Sequence, residues 1–174
     1  INEHIQRYLL ENKITKSEDL AFIRCGVPVN ENLSLKSTGS KIKIVSASRF
    51  TFSKGLDIFI HAVNKLPVSI TDKADFYIAG EGELESELKE LNSSLGNKVK
   101  FSGKVNDMYT YLNTAHVLVN ASRTPNEGFP AIITEAGATN TLVISSDFAG
   151  AEDVIIHGVN GLIYKENSSD NLCN

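Results

Sequence analysis

The stretch HVLVNASRTPNEGFPAIITEAGATNTLVISSD, residues 116–147, decides the fold class of this chain. Its two ends, HVLVNAS (116–122) and TLVISSD (141–147), contain apolar runs that are typical of parallel strands covered on both faces. Between them, PAIITEAGA (130–138) is typical of a helix, and Pro130 is a favoured residue of a first helical turn. A strand, a crossover helix and a second strand form the unit from which parallel α/β sheets are built.

The same alternation continues on both sides of this unit. Further strands are predicted at 41–48, 75–80, 98–103 and 160–165, and further helices at 54–66, 83–95 and 106–115. The helix at 54–66 carries apolar residues at helical spacing, which predicts one buried face. The pattern therefore predicts an α/β fold, a Rossmann-like doubly wound parallel sheet.

A polar segment divides the chain. Residues 1–13 are typical of a helix, whereas residues 30–41 are rich in Ser, Asn, Lys and Gly, as linkers and long surface loops are. We therefore expect residues 1–40 to hold the end of a preceding domain and a connection, and residues 41–174 to form the α/β domain. The first residue, Ile1, is not Met, so we expect the chain to be a fragment of a longer protein.

The composition argues against several classes of protein. A net charge of -4 without a basic stripe argues against a nucleic-acid partner, because phosphates demand clustered positive charge. No apolar run approaches the roughly 18 residues of a membrane span, and no signal peptide is visible in the sequence. Cys25 and Cys173 lie far apart and form neither a metal motif nor a disulfide framework. A reduced, cytoplasmic setting fits best.

The loops after the strands are the places to look for chemistry, because doubly wound sheets bind ligands at the carboxyl ends of their strands. The first such loop, SASRFTFSKG (46–55), places Arg49 and Lys54 beside Gly55 at a predicted helix start. A guanidinium fork, a lysine charge and a helix N-terminus together suit a diphosphate. The alternative is that both are ordinary surface charges. The loop AGEGELE (79–85) is more typical of a plain strand-to-helix turn than of a ligand contact.

The loop RTPNEGFP (123–130) carries a pair of acidic residues. Glu127 lies in the loop, and Glu135 lies in the second turn of the following helix among apolar neighbours. A half-buried carboxylate needs hydrogen-bond donors, and a sugar diol supplies two, as the ribose does in dinucleotide-binding folds. Gly128 gives the backbone freedom to face a ligand. The alternative is that Glu127 caps the helix and Glu135 is a charge at the rim.

The spacing of Glu127 and Glu135, E-x7-E with Gly-Phe-Pro after the first acid, resembles the signature of the retaining glycosyltransferases of family 4. The resemblance covers about 130 residues, from Lys41 to Lys165, in order and spacing. The segments that carry it are SRFTFSKGLDIFIHAV, FYIAGEGELESEL, VKFSGKVNDMYTYLNTAHVLVNAS, EGFPAIITEAGA and AEDVIIHGVNGLIY. Such enzymes have the GT-B architecture, two Rossmann-like domains facing across a cleft, and this chain resembles the C-terminal, donor-binding domain.

The resemblance implies a role for each matching residue. Arg49 and Lys54 would bind the donor diphosphate, and Glu127 would hold hydroxyls of the donor sugar, so these three would be the catalytic residues. The remaining positions would bind substrate: the backbone of Gly128, Phe129 and Pro130 would face the donor, Glu135 would hold the ribose, and the loop Gly103 to Val105 would lie near the base.

The same resemblance implies a metal-independent, retaining hexosyltransferase-type enzyme that needs no cofactor. The donor would be a UDP- or GDP-linked sugar and the acceptor a saccharide or a lipid-linked glycan of polysaccharide biosynthesis. The setting would be cytoplasmic, with peripheral attachment to the inner face of the membrane through an N-terminal domain. The fragment alone would bind its donor without turnover.

Some positions depart from the family pattern. Ser48 stands where a glycine often precedes the arginine, and Asn140 and Leu142 stand where Gly and Pro are common. Asn140 is an acceptable substitute because asparagine tolerates the left-handed conformation. The alternatives to a transferase are a non-catalytic nucleotide-sugar binding module, a nucleotide-sugar epimerase of GT-B type and a flavodoxin-like domain. The last would not explain the four charged residues together.

Overall fold

The fold is described from a computed structural model of the chain. The structure describes residues 3–21, 26–28, 36, 41–123, 131–148, 150–165 and 168–173. The strands are β1 (Ile42–Ala47), β2 (Ala74–Ala79), β3 (Val99–Gly103), β4 (Val117–Asn120), β5 (Leu142–Ser146) and β6 (Gly161–Tyr164). The α-helices are α1 (Glu3–Glu11), α2 (Leu56–Lys65), α3 (Val68–Thr71), α4 (Glu85–Ser94), α5 (Met108–Asn113), α6 (Ala131–Ala138) and α7 (Ser169–Cys173), with short 3-10 helices at Ser17–Asp19 and Phe52–Lys54.

The six strands form one parallel sheet in the order β3-β2-β1-β4-β5-β6. This is the strand order of a Rossmann fold, and it confirms the predicted fold class. Every predicted strand is present, and its ends lie within a few residues of the predicted ones. The chain leaves β1 toward β2 and β3 on one side and returns to β4 on the other. The carboxyl ends of β1 and β4 therefore flank the crevice in which such sheets bind ligands.

The sheet is buried on both faces, because successive side chains of a strand point in opposite directions. In β4, Leu118 belongs to a buried cluster with Leu112 of α5 and Ile133 of α6. Its neighbour Val119 belongs to a second cluster with Phe59 of α2. Burying an aliphatic or aromatic side chain of this kind is worth about 1.5–3 kcal/mol relative to leaving it exposed. The nearly continuous apolar runs of the sequence follow from this double coverage.

The buried face that the sequence predicts for α2 is confirmed. Leu56, Phe59, Ile60 and Val63 are all buried in the same cluster, and Leu66 packs against it. The polar positions of the helix lie at its exposed side, which fixes the orientation of α2 on the sheet. The start of α2 is consequently held close to the carboxyl ends of β1 and β4.

The sequence pattern does not predict the helix α3. α3 is only four residues long, and Val68 and Ile70 are 68% and 44% exposed, so the segment has no amphipathic pattern. It forms because Pro67 has φ -64°, which suits the start of a helix. The carbonyl of Pro67 accepts hydrogen bonds from the N–H groups of Ile70 (2.9 Å) and Thr71 (3.1 Å).

The turn between α6 and β5 confirms the sequence interpretation of Asn140. Its φ is 53°, in the left-handed region that asparagine tolerates better than most residues. The N–H of Asn140 donates to the carbonyl of Gly137 (3.2 Å) and that of Thr141 donates to the carbonyl of Ala136 (2.8 Å). Asparagine therefore closes α6 where the family commonly has glycine.

Candidate functional site

The loop that follows β1, residues 48–55, is fixed at its start by the loop that follows β2. The N–H of Ser48 donates to the carbonyl of Ala79 (3.1 Å), and the N–H of Phe50 donates to the carbonyl of Glu81 (2.9 Å). The carbonyl of Phe50 accepts from the N–H of Leu84 (3.1 Å). The Phe50 side chain is only 1% exposed. Backbone hydrogen bonds and a buried aromatic ring thus anchor the beginning of this loop.

The loop after β2, residues 79–85, supplies this support. A Cβ on Gly82 would lie 2.7 Å from the backbone nitrogen and oxygen of Phe50, so only glycine allows the two loops to approach this closely. Lys104 forms an exposed ion pair with Glu81 (2.5 Å) on the same loop. These contacts fit the interpretation of residues 79–85 as a strand-to-helix turn.

The N-terminus of α2 lies directly against the end of β4. Gly55 has φ 61°, and a Cβ there would come within 2.0 Å of the carbonyl oxygen of Ala121. Glycine therefore permits both the turn and the close approach. The first N–H groups of an α-helix lack partners in the regular helix pattern, and here the Asp57 carboxylate accepts from its own N–H and from that of Ile58. The helix dipole adds positive potential at the same end. This end of α2 is consequently suited to an anion.

The two predicted cations lie on this loop. Arg49 is exposed, and Lys54 is half-buried at the end of the 3-10 helix Phe52–Lys54, one residue before Gly55. Because the loop runs from the carboxyl end of β1 to the start of α2, both residues belong to the edge of the sheet where the crevice lies. The structure thus brings Arg49, Lys54 and the N-terminus of α2 together on one short segment.

Glu135 lies in the second turn of α6 and is half-buried. Burial raises the pKa of its carboxyl group. Within the described part of the chain this carboxylate has no hydrogen-bond or ion-pair partner. The backbone carbonyl of Glu135, in contrast, accepts from the N–H (3.1 Å) and from the Oγ1 hydroxyl (3.0 Å) of Thr139. A partly desolvated carboxylate without a partner gains from donors brought by a ligand.

Four of the predicted site residues cannot be placed. Glu127, Gly128, Phe129 and Pro130 lie in the segment 124–130, outside the described residues, so their roles stay predictions. The described residues on either side, Arg123 and Ala131, show that the segment leads from the end of β4 into α6.

Gly103 and Val105 lie at the carboxyl end of β3. The carbonyl of Gly103 accepts from the N–H of Gly80 at the end of β2 (2.8 Å), and Val105 is half-buried against the core cluster that contains Leu112. The strand order places them at the same edge as the other loops but two strands away from β1. The contact of Gly103 and Val105 with a nucleotide base stays a prediction.

The structure adds a residue that the sequence did not single out, Arg123, directly after β4. Its guanidinium donates to both carboxylate oxygens of Asp57 in the first turn of α2 (2.7 and 2.5 Å) and to the carbonyl of Phe52 (2.9 Å). Its backbone N–H donates to the carbonyl of Ser53 (2.7 Å). Burial alone raises the pKa of Asp57, but the hydrogen bonds and charge of Arg123, together with the backbone N–H groups of Asp57 and Ile58, outweigh it and bring the pKa below its ordinary value.

A network of small polar side chains lies beneath the same edge of the sheet. Ser146 donates through Oγ to the carbonyl of Ser122 (2.7 Å), Ser122 donates to Oδ1 of Asn120 (3.1 Å), and Nδ2 of Asn120 donates to Oγ of Ser145 (3.3 Å). All four residues are buried. The sequence contains a signal for this network, because HVLVNAS and TLVISSD are apolar strands that end in polar residues. Polar groups that are buried at such strand ends need hydrogen-bond partners.

The described residues hold neither a metal-binding cluster nor a helix suited to a membrane. In the part of the chain that the structure describes, no three or more His, Cys, Asp and Glu side chains come together in a way that could hold a metal ion. No helix among the described residues has the length and apolar character that crossing a membrane requires.

Comparisons with known proteins now identify the family. The model of the family described as glycosyl transferases group 1 matches residues 31–174. The chain is 31% identical over 136 residues to the GalNAc-α-(1→4)-GalNAc-α-(1→3)-diNAcBac-PP-undecaprenol α-1,4-N-acetyl-D-galactosaminyltransferase of Campylobacter jejuni, covering 77% of this chain and 37% of that protein. The chain spans less than half the length of the curated relatives it matches.

Solved structures are similar to this chain in fold. The crystal structure of HepE of Anabaena in complex with UDP-glucose is similar with a TM-score of 0.68 and 27% identity, over 77% of this chain and 37% of that one. A glycosyltransferase of Rickettsia africae is similar in fold with a TM-score of 0.84 and 21% identity, over 99% of this chain and 50% of that one. The resemblance inferred from the E-x7-E stretch is therefore confirmed at the level of the family, and the chain belongs to the group 1 glycosyl transferases.

Proposed function

We propose that this chain is the donor-binding part of a retaining, hexosyltransferase-type glycosyltransferase that uses a UDP- or GDP-linked sugar. The observation that carries the proposal is the pairing of two elements at the switch point of the sheet. One is the β1–α2 loop with Arg49, Lys54 and a helix N-terminus. The other is the half-buried Glu135 on α6, whose carboxylate has no partner among the described residues.

The β1–α2 loop suits the diphosphate of the donor. A guanidinium binds phosphate oxygens through two parallel N–H groups, and a lysine supplies a compact charge. The N-terminus of α2 adds N–H donors and the positive end of the helix dipole. Surface charges alone would not require a loop whose start is fixed by the backbone hydrogen bonds of Phe50.

Glu135 suits the ribose of the donor. Its half-buried carboxylate would accept hydrogen bonds from two vicinal hydroxyls, as acidic residues do in dinucleotide-binding folds. The ribose would then lie between α6 and the diphosphate loop. Gly103 and Val105, at the end of β3, would line the side on which the base lies.

The chemistry follows from where charge develops. Breaking the bond between sugar and phosphate leaves negative charge on the diphosphate, and Arg49 and Lys54 would stabilise it more strongly as it grows. Two cations can neutralise this leaving group, so the proposed reaction requires no divalent ion. Glu127 would position hydroxyls of the transferred sugar, with the backbone of Gly128, Phe129 and Pro130 around it, and the acceptor would attack from the face of the leaving group.

The acceptor and the cellular setting form a further part of the proposal. The name of the Campylobacter relative contains a diphospho-undecaprenol-linked glycan, which supports a saccharide or lipid-linked acceptor of polysaccharide biosynthesis. Such an acceptor would place the whole protein in the cytoplasm, at the inner face of the membrane. We propose that residues 1–40 lead from an N-terminal domain that completes the cleft, so the 174-residue chain alone would bind the donor without turnover.

The proposal can be tested by incubating the whole protein with UDP-glucose or with GDP-mannose. NMR then gives the anomeric configuration of the first sugar that hydrolysis releases. We expect one donor to give the sugar with its original anomeric configuration, at a rate that EDTA does not change. An inverted product would contradict the retaining mechanism, and loss of turnover in EDTA would contradict metal independence. Binding without any turnover would favour the non-catalytic module, and a sugar-nucleotide isomer would favour an epimerase.

A further inference from the structure

The diphosphate loop is anchored in the core at both ends, by Phe50 and by Leu56, and less so in the turn between them. Phe50 fixes its start in the core, but the backbone hydrogen bonds of the following turn are local: Lys54 N–H donates to Thr51 (3.1 Å) and Gly55 N–H donates to Phe52 (3.3 Å). Local hydrogen bonds shape a turn but do not set its position on the sheet. Core packing of α2 holds the chain from Leu56 onward, so the position of residues 52–54 depends on what joins them to another strand.

Arg123 makes that connection with both its side chain and its backbone. Its N–H donates to the carbonyl of Ser53, on one side of Lys54, and its guanidinium donates to the carbonyl of Phe52 and to both oxygens of Asp57. The guanidinium also lies 4.3 Å from the centre of the Phe52 ring. Four hydrogen bonds and one ring contact from Arg123 therefore hold the chain on both sides of Lys54, at Phe52 and Ser53 and at Asp57.

The guanidinium of Arg123 donates three of its hydrogen bonds to these protein groups. It shares two N–H···O bonds with Asp57, donates a third to Phe52 and stacks on a ring, and the side chain is only 23% exposed. A guanidinium held this way carries a charge that Asp57 already neutralises. It is therefore better suited to hold a loop than to bind a phosphate itself.

We infer that Arg123 and Asp57 are positioning residues that hold the 52–57 segment, and with it Lys54, in the place where the donor diphosphate binds. The inference rests on the proposed function and assigns two residues that the family resemblance did not. Without the Arg123–Asp57 pair the loop keeps its cations but loses their fixed position, so binding of the second phosphate weakens while binding of the nucleoside part does not.

The test compares diphosphates with monophosphates in the whole protein. Calorimetric titrations with UDP and UMP, GDP and GMP, and ADP and AMP give the ratio of the two dissociation constants for each base. The double variant Asp57→Asn/Arg123→Gln removes the fork and leaves the net charge unchanged, so a change in the ratio reports position rather than potential. The matched control is Lys65→Gln/Asp170→Asn, which removes an exposed ion pair (2.6 Å) at the other end of α2.

We expect the Asp57/Arg123 double variant to lower the preference for diphosphate at least about fivefold, the range of a weakened charge-assisted hydrogen bond. The affinity of this double variant for the monophosphate should equal that of the wild type. The Lys65/Asp170 control should keep the wild-type preference for diphosphate. If the double variant does not fold, Arg123→Lys keeps the charge without the fork and should lower the same ratio.

Three results would overturn the inference. An unchanged ratio in the double variant, or in Arg123→Lys, removes the positioning role and leaves the proposed function intact. An equal loss for monophosphate and diphosphate shows that the pair merely stabilises the fold. A wild-type protein that does not prefer any diphosphate over its monophosphate contradicts the proposed function, and the inference with it.

Discussion

Lys36 and Thr141 are joined by a hydrogen bond of 2.5 Å from Nζ to Oγ1 at the amino end of β5. The same ammonium group donates to the carbonyls of Leu112 (3.3 Å) and Ala115, at the end of α5, where the helix dipole favours a cation. Lys36 lies within the segment 30–41 that the sequence predicts as a connection, most of which is outside the described residues. The connection is thus tied at Lys36 to the α/β domain, at the edge opposite the crevice.

This contact predicts a stability that depends on pH. Burial lowers the pKa of Lys36 from 10.5 to about 8, so between these values the native protein binds fewer protons than the unfolded chain. The free energy of unfolding should therefore rise with pH across this window through this group. Urea unfolding of Lys36→Met should lack this contribution to the slope, and the exposed-residue control Lys73→Met should retain it. An identical slope in all three proteins would contradict the assignment.

Glu135 should make the unliganded protein less stable than a neutral residue would. Its pKa is raised by burial from the ordinary 4.5, so the native state binds this proton more tightly than the unfolded chain does. Stability from this group is highest at low pH and falls as pH rises from 4.5 through the native pKa. Glu135→Gln should therefore raise the free energy of unfolding at neutral pH while weakening nucleotide binding, about tenfold for one lost charge-assisted hydrogen bond.

The control for this prediction is Glu90→Gln, an exposed glutamate on α4. It should change neither the unfolding free energy nor nucleotide affinity beyond experimental error. A Glu135→Gln protein that is less stable at neutral pH would show that the carboxylate has a structural partner, and the ribose assignment would lose its physical basis.

The Arg123–Asp57 pair predicts sensitivity to acid. Since Arg123 lowers the pKa of Asp57, the pair contributes stability above the ordinary pKa of 3.8, and this contribution is lost as pH falls through the lower native value. Arg123→Gln should lower the free energy of unfolding at neutral pH by about 1 kcal/mol, a modest value because the Asp57 side chain is 37% exposed and solvent screens the pair. Chemical unfolding of the two proteins at neutral and acid pH measures the difference, which should shrink in acid.

Lys54 should matter for turnover far more than for folding. Lys54→Ala in the whole enzyme should lower kcat by about 10²–10³, the effect of removing one group that stabilises developing negative charge. Thermal unfolding should barely change, because Lys54 is half-buried on a loop rather than in the core. Lys65→Ala on the exposed end of α2 is the matched control, and unchanged turnover in Lys54→Ala would rule out the proposed leaving-group stabilisation.

The fold could be predicted because the parallel strands are buried on both faces and their apolar runs are visible in the sequence. Residues 116–122 and 141–147 illustrate this, and the left-handed Asn140 between them could also be predicted from residue type. α3 was missed because Val68 and Ile70 are exposed and give no periodic pattern.

The site could be predicted only in part, because its pairs join distant parts of the chain. Arg49, Lys54 and Glu135 could be singled out as candidates because the carboxyl ends of parallel strands share one edge, and their roles stay predictions. The pair Arg123 and Asp57 was not found, because its residues are 66 positions apart and each one separately resembles an ordinary surface charge. Such a pair becomes visible only when the strand order places the end of β4 beside the start of α2.

The most direct test of the donor site is calorimetric titration of the whole protein with UDP, GDP and ADP, repeated on Glu135→Ala and on Glu90→Ala. The account predicts that one of the three nucleotides binds, that Glu135→Ala weakens this binding about tenfold, and that Glu90→Ala leaves it unchanged. If no nucleotide binds at millimolar concentration, or if Glu135→Ala binds as tightly as the wild type, the proposed donor site is wrong.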